Sequence, residues 1–226
     1  MKETTQSLPV IRLNDREAIF GRTGTGKSIL AHYLYRSVPV PHDKEETAFP
    51  FWVICIDVSD SVWDDALTFT DPTNIPWDQS YRLRFVPDVE VLESAIDTLY
   101  QNIILHGNCW VWLDEANEVS TAHRTIIGLR KVLLRGRKEQ IGHCSATPRP
   151  ADISRSILSQ ADHFFMFALS DPDDRLKLAK RVNMTLEEFD YRIASLPEFG
   201  YLWYDVRQGV VYEMPPLPLE IVETLE

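Results

Sequence analysis

The sequence predicts an α/β fold: a three-layer sandwich with a mainly parallel central sheet, helices on both faces and a C-terminal β-hairpin. Three observations carry this. Apolar runs such as 51–57 (FWVICID), 109–113 (CWVWL) and 163–169 (HFFMFAL) lack the alternation of a half-exposed strand and suit strands buried on both faces. The segments between them place apolar residues at helical spacing, and such strand–helix alternation builds a parallel sheet. A glycine-rich turn at 21–28 joins the first strand to the first helix.

The elements follow in order. Residues 15–20 form a strand running into Gly21. A helix over 29–38, entered at Lys27, puts Leu30, Tyr33 and Leu34 on one side and is stopped by Pro39 and Pro41. The charged, Pro-containing stretch 39–50 is a surface loop. The strand 51–57 is followed by an acidic, turn-rich excursion at 59–80 and a short strand at 82–86. Asp88 then caps a helix whose Leu92, Ile96, Leu99 and Ile103 share one face, ended by Gly107 and Asn108.

The strand 109–113 leads into Asp114 and Glu115. A helix over 119–134 aligns Ala122, Ile126, Leu129 and Leu133. The strand 141–147 is broken by Pro148 and Pro150. A helix at 153–160 and the strand 163–169 come next. Short helices at 173–182 and 185–195 follow, the second opened by a Thr185/Glu188 capping box. Strands 201–206 and 210–213 close a hairpin around Arg207, Gln208 and Gly209. Residues 1–214 thus read as a single domain, and 215–226 as an acidic, Pro-containing tail.

Composition bounds the function. With 226 residues, 44% hydrophobic and 25% charged, the chain can bury a full core and is not disordered. No apolar run approaches the roughly 18 residues of a membrane-spanning helix, and no signal peptide is evident. Cys55, Cys109 and Cys144 are few and widely spaced, which suits core residues in a reducing compartment, and a cytoplasmic location is expected. The net charge of −11 argues against a general nucleic-acid coat. That figure is an average, however. Residues 123–150 hold seven Lys and Arg against one acid, a local +6, while 43–90 hold eleven acids against three bases.

Gly21, Arg22, Thr23, Gly24, Thr25, Gly26, Lys27 and Ser28 match G-x-x-x-x-G-K-[ST] completely. A loop that wraps a triphosphate must turn successive N–H groups inward, which needs backbone angles that glycine tolerates. The helix that follows adds its N-terminal amides. Lys27 would reach the β and γ oxygens of ATP, and the Ser28 hydroxyl would ligate Mg2+. Asp114 and Glu115 end a buried strand, where an open parallel sheet presents its ligand site. Asp114 would hold the Mg2+ shell and Glu115 would polarise the attacking water; either acid could instead simply cap the next helix. A strand–helix set lies between Lys27 and Asp114. With the acid pair, this spacing points to the class (RecA-like, or ASCE) that carries its own catalytic glutamate rather than to kinases or GTPases.

From His123 to Pro150 the chain resembles the FtsK–HerA superfamily of motor ATPases, which includes conjugation coupling ATPases and viral DNA-packaging ATPases. In that family the helix after the acids leads through a GRK-like turn, here Gly136, Arg137 and Lys138, into a strand ending near T-Q-R-P, here Thr147, Pro148, Arg149 and Pro150. The later helix, strand and acidic turn and the closing hairpin are also similar, so the likeness spans Gly21 to about Pro216. It implies ATP hydrolysis driving double-stranded DNA, with ATP sites between the subunits of a homo-oligomeric ring, usually a hexamer. The near absence of chain beyond the motor core favours a viral packaging motor docked to a capsid vertex or portal protein, in host cytoplasm or virion. A plasmid or conjugative translocase and an AAA+-type remodeller of a protein partner are the alternatives; the return to strands after the two short helices disfavours a helical lid. A nucleotide-binding scaffold without turnover is a third, opposed by Glu115. The family's γ-phosphate-sensing Gln is replaced by Pro148: either Thr147 or Arg149 takes over sensing, or sensing is weakened.

At about 100° per residue, Arg124, Lys131 and Arg135 fall opposite the apolar stripe of their helix. They read either as a solvated face or as residues reaching a neighbour's nucleotide or a DNA channel. Arg135, Arg137 and Arg149 are the candidates for a residue acting in trans. His143 and Cys144, being adjacent on a strand, should point to opposite faces and not to one metal. Asp57 either reaches the site through the loop after it or caps that loop. Trp52, Trp110 and Trp112 are expected in the core.

Overall fold

The computed structural model describes residues 10–40, 51–59 and 65–218. Nine strands form one sheet: β1 Arg16–Phe20, β2 Trp52–Ile56, β3 Leu67–Phe69, β4 Arg82–Phe85, β5 Cys109–Leu113, β6 Ile141–Thr147, β7 His163–Met166, β8 Tyr201–Asp205 and β9 Val210–Met214. Their order is β3-β4-β2-β5-β6-β1-β7-β8-β9. The pairs from β3 to β7 are parallel; β8 and β9 add antiparallel. The mainly parallel sheet with a closing hairpin is as the sequence predicts.

Six α-helices are described: α1 Lys27–Ser37, α2 Leu92–His106, α3 Ile127–Arg135, α4 Arg155–Gln160, α5 Pro172–Arg181 and α6 Leu186–Ser195. Two apolar cores flank the sheet. On one face Leu30, Ala31 and Tyr35 of α1 pack with Ile19, Cys55, Trp112, Cys144, Phe165 and Trp203. On the other, residues from α2 to α6 pack with Phe20, Ile54, Val111 and Phe164. The period-2 alternation of buried strands sends successive side chains to these two cores. The three cysteines are buried and unbridged, and Trp52, Trp110 and Trp112 lie in the core as expected.

Several expectations are corrected. The helix expected over 119–134 begins only at Ile127, and Ala122 is exposed. Before it, Ser120 and Thr125 form an antiparallel bridge, and Thr121 bridges Ile153. Ser120 Oγ bonds Ser154 Oγ at 2.9 Å. Short hydroxyl side chains bond locally and compete with helix there. Asp97 of α2 supplies the helix start, accepting from Gly128 N at 2.6 Å. Within the excursion read over 59–80, Leu67–Phe69 is an edge strand, too short to carry a pattern. On α1 Tyr35 is buried while Tyr33 and Leu34 are half-buried. The remaining boundaries move by a few residues. Asp88 caps a 3-10 turn at Val89–Val91, accepting from Glu90 N, and α2 starts only after it without a side-chain cap; Thr185 accepts from Glu188 N as the capping box requires of it. Residues 41–50 of the surface loop, 60–64 of the acidic excursion and 219–226 of the tail lie outside the described residues.

Candidate nucleotide site

The register of the parallel strands sets the site. Phe20 is level with Thr147, and Leu113 with Ser145 and Ile56, so the loops after β1, β6, β5 and β2 emerge at one edge. β6 separates β1 from β5. The glycine-rich loop and the two acids therefore face one another across one intervening strand, at the carboxyl edge where open sheets bind ligands.

The loop is built by its residue types. Gly24 (φ 80°) and Gly26 (φ 98°) adopt left-handed backbone. A Cβ on Gly21 would sit 2.6 Å from Phe167 Cβ, so only glycine lets the loop pass. Thr25 Oγ1 donates to the Arg22 carbonyl at 2.8 Å and Lys27 Nζ to the same oxygen at 3.2 Å, closing the turn. Arg22 N is fixed to Ala168 O at 3.0 Å. Lys27 is buried while Ser28, Arg22 and Thr23 are exposed. Burial lowers the Lys27 ammonium pKa, opposed by the charges of Glu115 and Asp114, which places those acids within its electrostatic reach.

Across β6, burial raises Asp114 above the ordinary carboxylate range, and the Asp57 charge adds to this. Glu115 is raised by burial and by Asp114. Its backbone is left-handed, φ 48°, an outlier for a side chain of this size. Asp57 fulfils both of its readings. Its Oδ1 caps the Ser59 amide at 3.1 Å, and Ser59 Oγ lies 3.0 Å from that oxygen and 3.4 Å from Asp114 Oδ2. Arg84 of β4 grips Asp57 Oδ2 through Nε and Nη2, at 3.0 and 2.8 Å. Thr147 Oγ1 donates to Asn117 Oδ1 at 2.8 Å and accepts from Arg149 N at 3.1 Å. This ties the end of β6 to the turn after Glu115.

Loop, Asp114, Glu115 and Thr147 thus meet at one edge. The arginines do not all join them. Arg149 is held by its own chain's acids, with Nε 3.3 Å from Asp174 and Nη2 3.5 and 3.7 Å from Asp152 and Asp171. Arg135 ends α3 and Arg137 lies in the 3-10 turn 136–139 that follows, just before β6 begins, at the opposite edge of the sheet. Arg135 is exposed, and Arg137 pairs with Asp162. His143 and Cys144 point to opposite faces: His143 Nε2 meets Tyr100 OH of α2 at 2.7 Å, while Cys144 lies in the α1 core. Sequence reasoning missed Ser59, Arg84 and Asn117. A charged residue inside the strand motif RLRF was the one available signal, since a buried Arg needs a partner.

No family model matches the chain. The chain is 25% identical to "DNA packaging ATPase P9" of Enterobacteria phage PRD1 over 214 residues, covering 91% of this chain and 89% of that one. Its fold matches the genome packaging NTPase B204 of Sulfolobus turreted icosahedral virus 2 in complex with AMPPCP, with TM-score 0.72, 21% identity and coverage of 92% and 100% of the two chains. VirB4 of Thermoanaerobacter pseudethanolicus aligns with TM-score 0.59 at 14% identity, over 91% of this chain and 90% of that one. These likenesses bear out the P-loop NTPase fold and the resemblance read from the sequence.

Proposed function

We propose that this homologue of a phage DNA-packaging ATPase hydrolyses ATP with Mg2+ and uses the energy to drive double-stranded DNA into a viral capsid. The observation that carries the reading is the glycine-rich loop with its buried Lys27, facing Asp114 and Glu115 across one strand. The 25% identity to P9 over nearly the full length of both chains supports the packaging role.

The residues present fit the nucleotide and its metal. The loop glycines permit inward N–H groups, and nothing lies within 4 Å of the Gly24 Cβ direction, so a phosphate could approach the backbone. Burial raises the Asp114 and Glu115 carboxyls, and the charge of Asp57 on Asp114 and of Asp114 on Glu115 adds to it; a divalent cation relieves such repulsion. Ser28 and Asp114 would hold Mg2+, which supplies charge neutralisation at the β and γ oxygens.

Each side chain then has one task. Lys27 neutralises the phosphate oxygens. Glu115, at the end of β5, orients and deprotonates water for in-line attack on the γ-phosphorus, and the bond to the β-bridging oxygen breaks. Thr147, linked to Asn117 beside Glu115, is positioned to report the γ-phosphate in place of the family's glutamine. Arg135, Arg137 or Arg149 would complete a neighbour's site within a ring, the hexamer being the usual form. Arg149 would first have to leave its acids, whereas Arg135 is exposed.

The test is ATPase activity of the purified chain with and without double-stranded DNA, alongside electron microscopy of assemblies. DNA stimulation that disappears in Glu115→Gln is expected. An assembled ring without DNA-dependent turnover, or stimulation by a protein partner alone, would overturn the reading.

A further inference from the structure

Between α6 and β8 the chain turns through Pro197, Glu198, Phe199 and Gly200, closed by Gly200 N donating to Pro197 O at 2.9 Å. Phe199 occupies the position of this turn that needs left-handed backbone, with φ 61°. Glycine adopts that conformation freely; a bulky aromatic does so under strain. Burial does not explain the choice, because Phe199 remains 48% exposed. Yet the ring is in a definite place. A Cβ on Gly26 of the phosphate loop would lie 3.7 Å from Phe199 Cδ1 and 3.8 Å from its Cβ. The exposed ring therefore stands directly against the loop.

Strand order says what arrives there. The acids lie two strands to one side of β1, and β7 lies on the other. The extension of β7 is sewn to the loop, Phe167 N to Phe20 O at 2.8 Å and Arg22 N to Ala168 O at 3.0 Å. Phe167 meets the same glycine, its Cε1 3.5 Å from the Gly26 Cβ direction. A nucleotide whose γ-phosphate is at Glu115 must leave the loop on the β7 side. Of the two rings there, Phe167 is buried and Phe199 offers the exposed flat surface.

We infer that Phe199 is the base-stacking residue of the site, its strained backbone holding the ring against the loop to receive the purine. The inference rests on the nucleotide reading above. Stacking uses the π-face that every base has, so it confers affinity for the nucleoside without choosing among bases.

The test is calorimetric binding of AMPPCP, its guanine counterpart and inorganic triphosphate to the full-length chain and to Phe199→Gly, Phe199→Ala and Phe199→Tyr. Phe199→Gly keeps the turn, since glycine accepts the φ, and its melting temperature should equal or exceed that of the original chain. Both nucleotides should bind about tenfold more weakly to Phe199→Gly and Phe199→Ala. Triphosphate should bind all forms equally, and Phe199→Tyr should restore nucleotide affinity. Unchanged nucleotide affinity in Phe199→Gly, or an equal loss for triphosphate, would overturn the inference while leaving the nucleotide reading intact. Failure of the original chain to bind either probe would overturn both.

Discussion

At the scale of residues, the site depends on a few side chains held where solution would not place them. Lys27→Ala removes the buried ammonium of the loop and should abolish detectable nucleotide binding by calorimetry. Glu115→Gln keeps the shape and the hydrogen bonding but loses the base. ATP should still bind, with turnover down on the order of 10²–10³-fold, the range for removing a positioned acid–base group or a stabilising polar group. Unchanged turnover would favour a scaffold. Glu17 shows the same logic outside the site. It is buried beside Trp110, whose Nε1 donates to Oε2 at 3.1 Å, and Oε1 has no partner among the described residues. Burial, then the Asp15 charge, raises its pKa well above the ordinary glutamate value. The folded state therefore keeps a proton that the unfolded chain releases above about pH 4.3, and stability falls as pH rises from there toward the folded value. Glu17→Gln should remove that slope. Denaturant titrations near pH 5 and near pH 8 should show the variant gaining on the original chain at the higher pH.

At the scale of elements, close approaches and buried pairs fix the strands. A Cβ on Gly142 of β6 would sit 2.1 Å from Leu13 O and 2.6 Å from Trp110 Cδ1. Gly142→Ala should cost about 1–3 kcal/mol in denaturant unfolding, the usual range for overpacking. Arg84 joins β4 to the end of β2 through Asp57, both largely buried. Arg84→Ala takes the counter-charge from a buried carboxylate and should cost about 3–5 kcal/mol, with weakened nucleotide binding as Ser59 and Asp114 lose their frame. At the opposite edge Asp15 joins β1 to β7 and the hairpin through His163 (3.2 Å) and Arg207 (2.9 Å). Burial opposes ionisation there, but these hydrogen bonds hold the Asp15 carboxyl well below its usual range. Its contribution to stability is thus present above the ordinary aspartate value and lost as pH falls below it.

At the scale of the whole molecule, the question is charge. Seven cations crowd 123–150, but the fold pairs three of them with acids from elsewhere in the chain: Arg124 with Glu93, Arg137 with Asp162, and Arg149 with Asp171 and Asp174. Arg130, Lys131, Arg135 and Lys138 stay exposed, without ion pairs among the described residues. The surface that could meet a polyanion is thus the outer face and end of α3. If it does, DNA-stimulated hydrolysis should weaken with salt at a log–log slope of about −3 to −4, each phosphate contact contributing about 0.9. Neutralising any one of the four should reduce that slope by about 1. A slope near zero would place the DNA elsewhere. Among the described residues no helix is long and apolar enough to cross a membrane.

Much of this was legible in the sequence because its signals are local. Continuous apolar runs mark strands buried on both faces, and β5 and β6 fall at the expected residues. The loop motif and the adjacent acids announce their chemistry through spacing alone. The start of α3 was not legible, because the backbone before it pairs in bridges, Ser120 with Thr125 and Thr121 with the distant Ile153, instead of in helical bonds. The Arg84–Asp57–Ser59–Asp114 chain was not either, since it joins three strands whose order no local pattern encodes. Local pattern was enough for the sheet class, the phosphate loop and the acid pair. Which cations keep no ion pair among the described residues, the place of Arg135 and Arg137 at the far edge, and the stand of Phe199 against Gly26 came from the assembled fold, because charge pairing and ring placement depend on residues that meet only when the strands are ordered.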